Sequence, residues 1–308
     1  MSDVLDQYKL DDGQSVATGL NMPNEAEQLL MFELPEYSES FYLDDKEIER
    51  RLVQNGRQVY LEKRRKRARR MRNQGNLGKC NGSANTGGLE QLRESQGMPD
   101  IALSDCYIYS LANGGRDVGS ALITTFTQLQ ERGTSPMEIQ VGGMTKVLPN
   151  DFYNRRSVSA DVLKQADIEA KRIMGWEFYK APMDTFANYC RAIASAIARN
   201  QPVVFAWHVG NNSMRLNNGY AVVGRGPGNH ANLIHAGKWV GGKTLVHPDD
   251  QNSWGPCVNP LYGRTGGSGW GEGGFALFTM EDVYACARNH CTYILTSTKV
   301  DPNDPAFQ

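Results

Sequence analysis

Six cysteines lie along the 308 residues, at positions 80, 106, 190, 257, 286 and 291. Cys80 is the one whose neighbours suggest chemistry. A thiol reacts as its thiolate, so it needs surroundings that favour negative charge. The residues after Cys80 are expected to open a helix whose N-terminal amides supply part of that. Six residues earlier stands Gln74, whose side-chain amide is placed to turn back beside the sulfur. With the Cys80 backbone N–H it would form a pair of donors for the oxyanion made when a thiolate attacks a carbonyl. Gly75 and Gly78 give the loop between them the freedom to fold that tightly.

This stretch, Gln74-Gly75-x-x-Gly78-x-Cys80, resembles the active-site loop of papain-like cysteine peptidases. The resemblance continues downstream in the family's order: Asn229-His230-Ala231 before an apolar run, Asn252-Ser253-Trp254-Gly255, and the glycine-rich Gly269 to Phe275. It spans roughly Asn73 to Phe278. It implies that His230 is the base and the thiolate's ion-pair partner, and then the acid that protonates the leaving amine. It implies that Asn252 fixes the imidazole tautomer and that Trp254 shields that hydrogen bond from water. In Asn113-Gly114-Gly115, it implies that Gly114 and Gly115 pair with the substrate main chain. His208, His235, His247 and His290 have no comparable company and read as structural or surface residues.

Three departures from the family stand out. Asn81 follows the nucleophile where a large aromatic is usual. The segments Gly237 to Lys243 and His247 to Gln251 add glycine and polar residues between His230 and Asn252. Leu77 and Ala112 occupy the positions where secreted relatives carry a disulfide, as expected of a chain folded in a reducing compartment.

The elements that must position these residues follow from pattern. Helices are expected over Cys80 to Gln96, from near Ser120 to Gly133, over Ser159 to Met174, and over Asp184 to Arg199. Residues 134–158 read as loop. After Gln201-Pro202 the pattern changes to strands: Val203 to Val209, Tyr220 to Val223, Ala231 to His235, Thr244 to His247, Phe275 to Phe278 and Thr292 to Leu295. Helices first and strands second mean α+β, with a helical half over about 73–200, an antiparallel sheet or barrel half over about 201–308, and a cleft between them.

Residues 1–72 read as an acidic arm that ends in the basic block Lys63 to Arg72, with apolar anchors around Leu29 to Leu34 and at Phe41 and Tyr42. Asp44 to Val59 is expected to be helical, capped by the aspartates at its start. The arm is a flexible segment, a cleft-covering pro-segment or a docking arm held partly by charge. Docking is preferred, because the arm lacks the compact helical pattern of a self-folding prodomain.

A formal charge of −1 and 40% hydrophobic residues describe a soluble globular chain with no global attraction to nucleic acid. The basic block has no aromatic platform to make it a nucleic-acid site. No run reaches the ~18 apolar residues of a membrane helix, and the first residues lack signal-peptide features. The expected setting is a host cytoplasm or a virion. No CxxC pair is present, and Cys286, His290 and Cys291 are grouped wrongly for a structural site, so neither metal nor cofactor is expected. The expected activity is that of a cysteine endopeptidase acting on peptide or protein. The alternative is a structural or assembly protein of a phage virion. The arm, the missing disulfide and the glycine-rich helix start also resemble papain-like proteins of bacteriophages, whose structural proteins the arm would dock on.

Overall fold

A computed structural model describes residues 5–9, 15–67, 72–149, 152, 154–173, 176–214, 216–255, 271 and 274–297. The chain opens with an antiparallel hairpin, β1 (Gln7–Lys9) and β2 (Ser15–Ala17). Next comes α1 (Glu25–Glu33), started by a capping box between Asn24 and Glu27 and burying none of its residues. α2 (Asp45–Leu52) is capped by Asp44, as its sequence suggests. The expected continuation to Val59 is broken where Asn55 and Gly56 both take positive φ, and α3 (Val59–Arg67) restarts beyond that turn.

Ile48 and Leu52 are fully buried, and with Val16, Tyr37 and Tyr60 they belong to the same apolar cluster as the C-terminal sheet. Of the basic segment after them, Arg64, Arg65 and Arg72 pair with acids of the body: Arg64 with Glu94, Arg65 with Asp249, and Arg72 with Glu90. Leu52→Ala should therefore lower the stability of the whole protein by about 2–5 kcal/mol, read as a shift of the urea midpoint at unchanged slope. A shift near zero would mean that α2 is only laid on the surface.

The helical half stacks α4 (Cys80–Ser95), α5 (Asp105–Ala112) and α6 (Leu122–Arg132). Gly82 weakens α4 as a helix but permits close packing, since a Cβ there would stand 2.6 Å from the Asp105 carbonyl oxygen. The segment expected as loop holds a hairpin, β3 (Glu138–Val141) and β4 (Met144–Val147), turned by Gly142 and Gly143 at positive φ. α7 (Ala160–Ala170) follows, and then β5 (Glu177–Lys180). The stop expected at Gly175 lies outside the described residues.

α8 (Phe186–Ala198) buries Tyr189, Cys190, Ile193 and Ile197 on the expected face. The sheet is then built from β6 (Val203–Trp207), β7 (Leu216–Asn217), β8 (Tyr220–Ala221), β9 (His230–Gly241), β10 (Leu245–Gln251) and β11 (Phe275–Leu277). α9 (Met280–His290), which the sequence pattern did not suggest, leads into β12 (Thr292–Ser297). The eight strands run in the order β5-β12-β6-β9-β10-β11-β8-β7, antiparallel except where β11 meets β8 in parallel. β5 crosses from the helical half to the sheet edge, where it pairs with β12.

The architecture is α+β, as expected. One apolar cluster joins α4, α5 and α6 to a face of β6, β9 and β12, while α8 and α9 cover the other face. The N-terminus of α4 and the first residue of β9 thus meet at the seam between the halves. No helix among the described residues is long and apolar enough to cross a membrane.

Candidate active site

Cys80 is the first residue of α4, where free backbone N–H groups converge. His230 begins β9, paired with Trp207 of β6, and Asn252 follows directly on β10. The loop before Cys80 is stitched to the segment around Asn252: Asn73 bridges to Trp254, and the Gln74 N–H donates to the Ser253 carbonyl at 2.9 Å. Gln74, Cys80, His230 and Asn252 are therefore held by regular elements and by backbone bonds between them.

The imidazole is fixed by two contacts. His230 Nε2 lies 2.9 Å from Asn252 Oδ1, and the Ser253 N–H donates to that same oxygen at 2.6 Å. An oxygen that accepts from the backbone also accepts from the imidazole, so Nε2 carries the proton and Nδ1 is left with its lone pair. Nδ1 is buried and has no hydrogen-bond partner among the described residues. Trp254, wholly buried, stacks on the ring with centroids 4.2 Å apart, in the shielding position expected of it. The Ala231 backbone N–H, next to His230, is directed at the Cys80 sulfur, as are those of Asn81 and of Cys80 itself.

Asn81, where a large aromatic was the usual residue, is a tether. Its amide donates to the Ala121 carbonyl at 2.7 Å and contacts Ser120, while its oxygen atoms accept from Asn85. It ties α4 to the start of α6. Gly114 and Gly115 form a turn at positive φ, and Gly114 faces open space. Residues 19–21 pair along Gly119–Ser120, which is braced from behind by Tyr109, whose hydroxyl donates to Asp117 and accepts from the Gly119 N–H.

A strand of the chain already occupies this cleft. Residues 16–21 run through it, with Val16 and Ala17 fully buried. The Ala17 carbonyl accepts from Gln74 Nε2 at 2.7 Å and from Trp254 Nε1 at 3.3 Å. Leu20 N–H donates to the Asn229 carbonyl at 3.1 Å, and Leu20 pairs in parallel with Ser120. The Gly19 N–H points at the Cys80 sulfur. The docking preference drawn from composition leaves the cleft open; here the segment fills it.

This cover reverses the expected electrostatics of the pair. Cys80 has no exposed surface, and burial pushes its thiol up to about 11 despite the four N–H groups around it. Burial also pushes His230 down to about 4, against the raising effect of its Asn252 and Asn232 contacts. Burial thus favours the neutral form of both groups, against the thiolate–imidazolium pair that the resemblance implies. His235, read as a structural or surface residue, is buried, and its Nε2 lies 2.9 Å from Asp249, which Arg65 also holds.

No family model matches this sequence, and no curated protein matches it. Solved structures do. Xylellain, a cysteine protease from Xylella fastidiosa, superposes with a TM-score of 0.50 at 16% identity, over 92% of each chain. The fold is papain-like. The ragweed pollen cysteine protease Amb a 11 in its proform matches at a TM-score of 0.52 and 15% identity, over 92% of this chain and 77% of that one. The cysteine protease and lectin-like domains of Cwp84 from Clostridium difficile match at 0.53 and 16%, covering 76% of this chain but only 50% of that one. At these identities the likeness is one of fold, and the papain-like scaffold accounts for the seam between a helical half and a sheet half.

Within that scaffold, Gln74, Cys80, His230, Asn252 and Trp254 come together at the seam. The Gly119–Ser120 wall was missed in the sequence, although Gly119, at positive φ and against the Gly19 carbonyl, shows the backbone proximity for which glycine is suited. The glycine-rich stretch Gly269 to Phe275 lies mostly outside the described residues.

Proposed function

We propose that this chain is a cysteine peptidase, held closed by its own N-terminal segment. The observation that carries the reading is the His230–Asn252 hydrogen bond, which commits Nε2 and leaves Nδ1 without a hydrogen-bond partner, on a residue whose strand neighbour Ala231 packs in one cluster with Cys80. With the cleft empty, Nδ1 takes the thiol proton, and the thiolate attacks the carbonyl carbon of a peptide bond. The oxyanion then accepts from the Cys80 backbone N–H and from Gln74 Nε2. His230 returns its proton to the leaving amine, and water completes the hydrolysis of the thioester by the same base.

The seated segment is what a closed form of such an enzyme requires. The Ala17 carbonyl takes the Gln74 donor that the oxyanion would use, and Gly19 covers the sulfur. Its parallel pairing with Ser120 sets its main chain against that wall. The proform of Amb a 11, among the structures similar to this chain, is a precedent for a papain-like protease with an uncleaved extension.

The test is hydrolysis of an unstructured protein by the chain lacking residues 1–21, with Cys80→Ala as the control. In that background Gln74→Ala should lower kcat by about 10²–10³-fold, the scale of one oxyanion donor, with a smaller change in KM. Gln74 also accepts from Ser253 and donates to the Leu77 carbonyl, so the circular dichroism of the variant should be checked alongside. Unchanged kcat in a folded Gln74→Ala protein would remove Gln74 from the oxyanion site.

A further inference from the structure

A second polar rung stands beside the one that joins His230 to Asn252. Asn232 lies two residues past His230 on β9, and Asp250 lies two residues before Asn252 at the end of β10. The strand period of two therefore puts each on the same face as its catalytic neighbour. Both rungs run along the same diagonal between the strands. Asn232 Nδ2 donates to Asp250 Oδ2 at 2.7 Å. Asn232 is 1% exposed and Asp250 is not exposed at all.

The remaining oxygens of this pair are the informative ones. Asn232 Oδ1 and Asp250 Oδ1 are both buried without a hydrogen-bond partner among the described residues. A buried acceptor without a donor costs about 1–3 kcal/mol, and two on residues already joined to each other suggest one common cause. An ionised carboxylate and an amide oxygen are both acceptors and cannot satisfy each other, whereas a carboxylic acid has one proton to give.

We propose that Asp250 is held as the neutral carboxylic acid and donates from Oδ1 to Asn232 Oδ1, closing a reciprocal acid–amide ring that positions the His230–Asn252 rung. The proposal rests on the catalytic reading of that rung for its functional half alone. Burial, and next the charge of Asp249, push the Asp250 carboxyl well above the usual range, in the direction the ring requires. Asp249 is itself matched, by Arg65 from α3 and by His235 from β9. A neutral ring braces the two strands without setting a negative charge behind the imidazole. Asp250 is thus a positioning residue: it acts through Asn232 and the strands, and it touches no reacting atom.

Isotope-edited infrared spectroscopy of the full chain, with the aspartate carboxyls labelled with carbon-13, tests the acid directly. The expected result is a carbonyl band of a neutral carboxylic acid at neutral pH, lost in Asp250→Asn. Carboxylate absorption alone from all aspartates in the wild-type protein would overturn the ring, whether or not any variant folds. The positioning role is read in the chain lacking residues 1–21. Asp250→Leu should lower kcat by about 10- to 100-fold with little change in KM. Asp250→Asn, which can rebuild a reciprocal amide pair, should recover most of that loss. Equal loss in both variants, each folded, would overturn the positioning role. A parent protein without peptidase activity would strike the catalytic reading and leave the ring to the infrared result.

Discussion

In the chain freed of its N-terminal segment, Cys80→Ala and His230→Ala should each lower peptide hydrolysis by about 10⁴–10⁶-fold, with the circular dichroism unchanged. The size follows from the division of labour at the seam. In the proposed reading Cys80 supplies the bond-forming sulfur, and His230 Nδ1 is the imidazole nitrogen left to act as base, because Nε2 is committed to Asn252. Asn252→Ala should cost less, by about 10²-fold relative to the other two, since it removes an orienting bond while Trp254 still stacks on the ring. The pH dependence has a definite sign. In the closed form burial holds the thiol up at about 11 and the imidazole down at about 4, because each charged form loses solvent. Opening the cleft restores solvent and lets the two charges stabilise each other, so the thiol moves down and the imidazole up. Iodoacetamide should therefore alkylate Cys80 slowly at neutral pH in the full chain, at a rate that climbs towards pH 11. In the freed chain the rate should already be high near neutrality. Unchanged turnover in Cys80→Ala would end the peptidase reading.

What the sequence revealed was set by side chains, and what it hid was set by backbone. In the proposed function Cys80, Gln74, His230, Asn252 and Trp254 would act through their own functional groups, so residue type and order were enough to single them out. Six of the seven described strands from Val203 onward announced themselves by apolar runs between turn residues, the two-residue β7 being missed, and α8 by its stripe from Tyr189 to Ile197. α9 was hidden because its apolar residues are few, yet Thr279 and Asp282 formed a helix-start signal that the structure uses: the Thr279 side chain accepts from the Asp282 N–H. The β3–β4 hairpin carried the Gly142-Gly143 turn signal inside a polar stretch. Resemblance singled out Gly114 and Gly115 for substrate pairing, while the pairing of residues 19–21 along Gly119–Ser120 was not visible, since main-chain pairing is indifferent to most side chains. The segment in the cleft was illegible for the same reason. Its grip is main-chain hydrogen bonding by Ala17, Gly19, Leu20 and Asn21, and its composition resembles any polar linker.

Removing residues 1–21 should raise hydrolysis of an unstructured protein substrate by about 10²–10³-fold and speed Cys80 alkylation by a similar factor. Seven hydrogen bonds hold the segment to the cleft: Ala17 N–H to the Gly75 carbonyl, Gln74 and Trp254 to the Ala17 carbonyl, Leu20 N–H to the Asn229 carbonyl, Ser120 N–H to the Gly19 carbonyl, Asn21 N–H to the Ser120 carbonyl and the Asn21 side-chain amide to the Val118 carbonyl. At about 1 kcal/mol each, and offset in part by the ordering of the segment, they leave the open form at roughly one part in 10²–10³. Residues 15–21 carry no charged side chain, so salt should barely open the cleft, contrary to an arm held by charge. Truncation also removes buried Val16, and a point substitution separates release from damage to the core. A Cβ on Gly19 would overlap the Gly78 backbone, which no side-chain adjustment relieves, so Gly19→Ala should expel the segment with every other residue kept. It should activate hydrolysis and alkylation as truncation does, and leave the urea midpoint nearer to wild type than truncation leaves it. Docking on another protein predicts the opposite: both rates unchanged in Gly19→Ala and in the truncated chain, with loss of the partner on co-sedimentation as the effect of removing the segment.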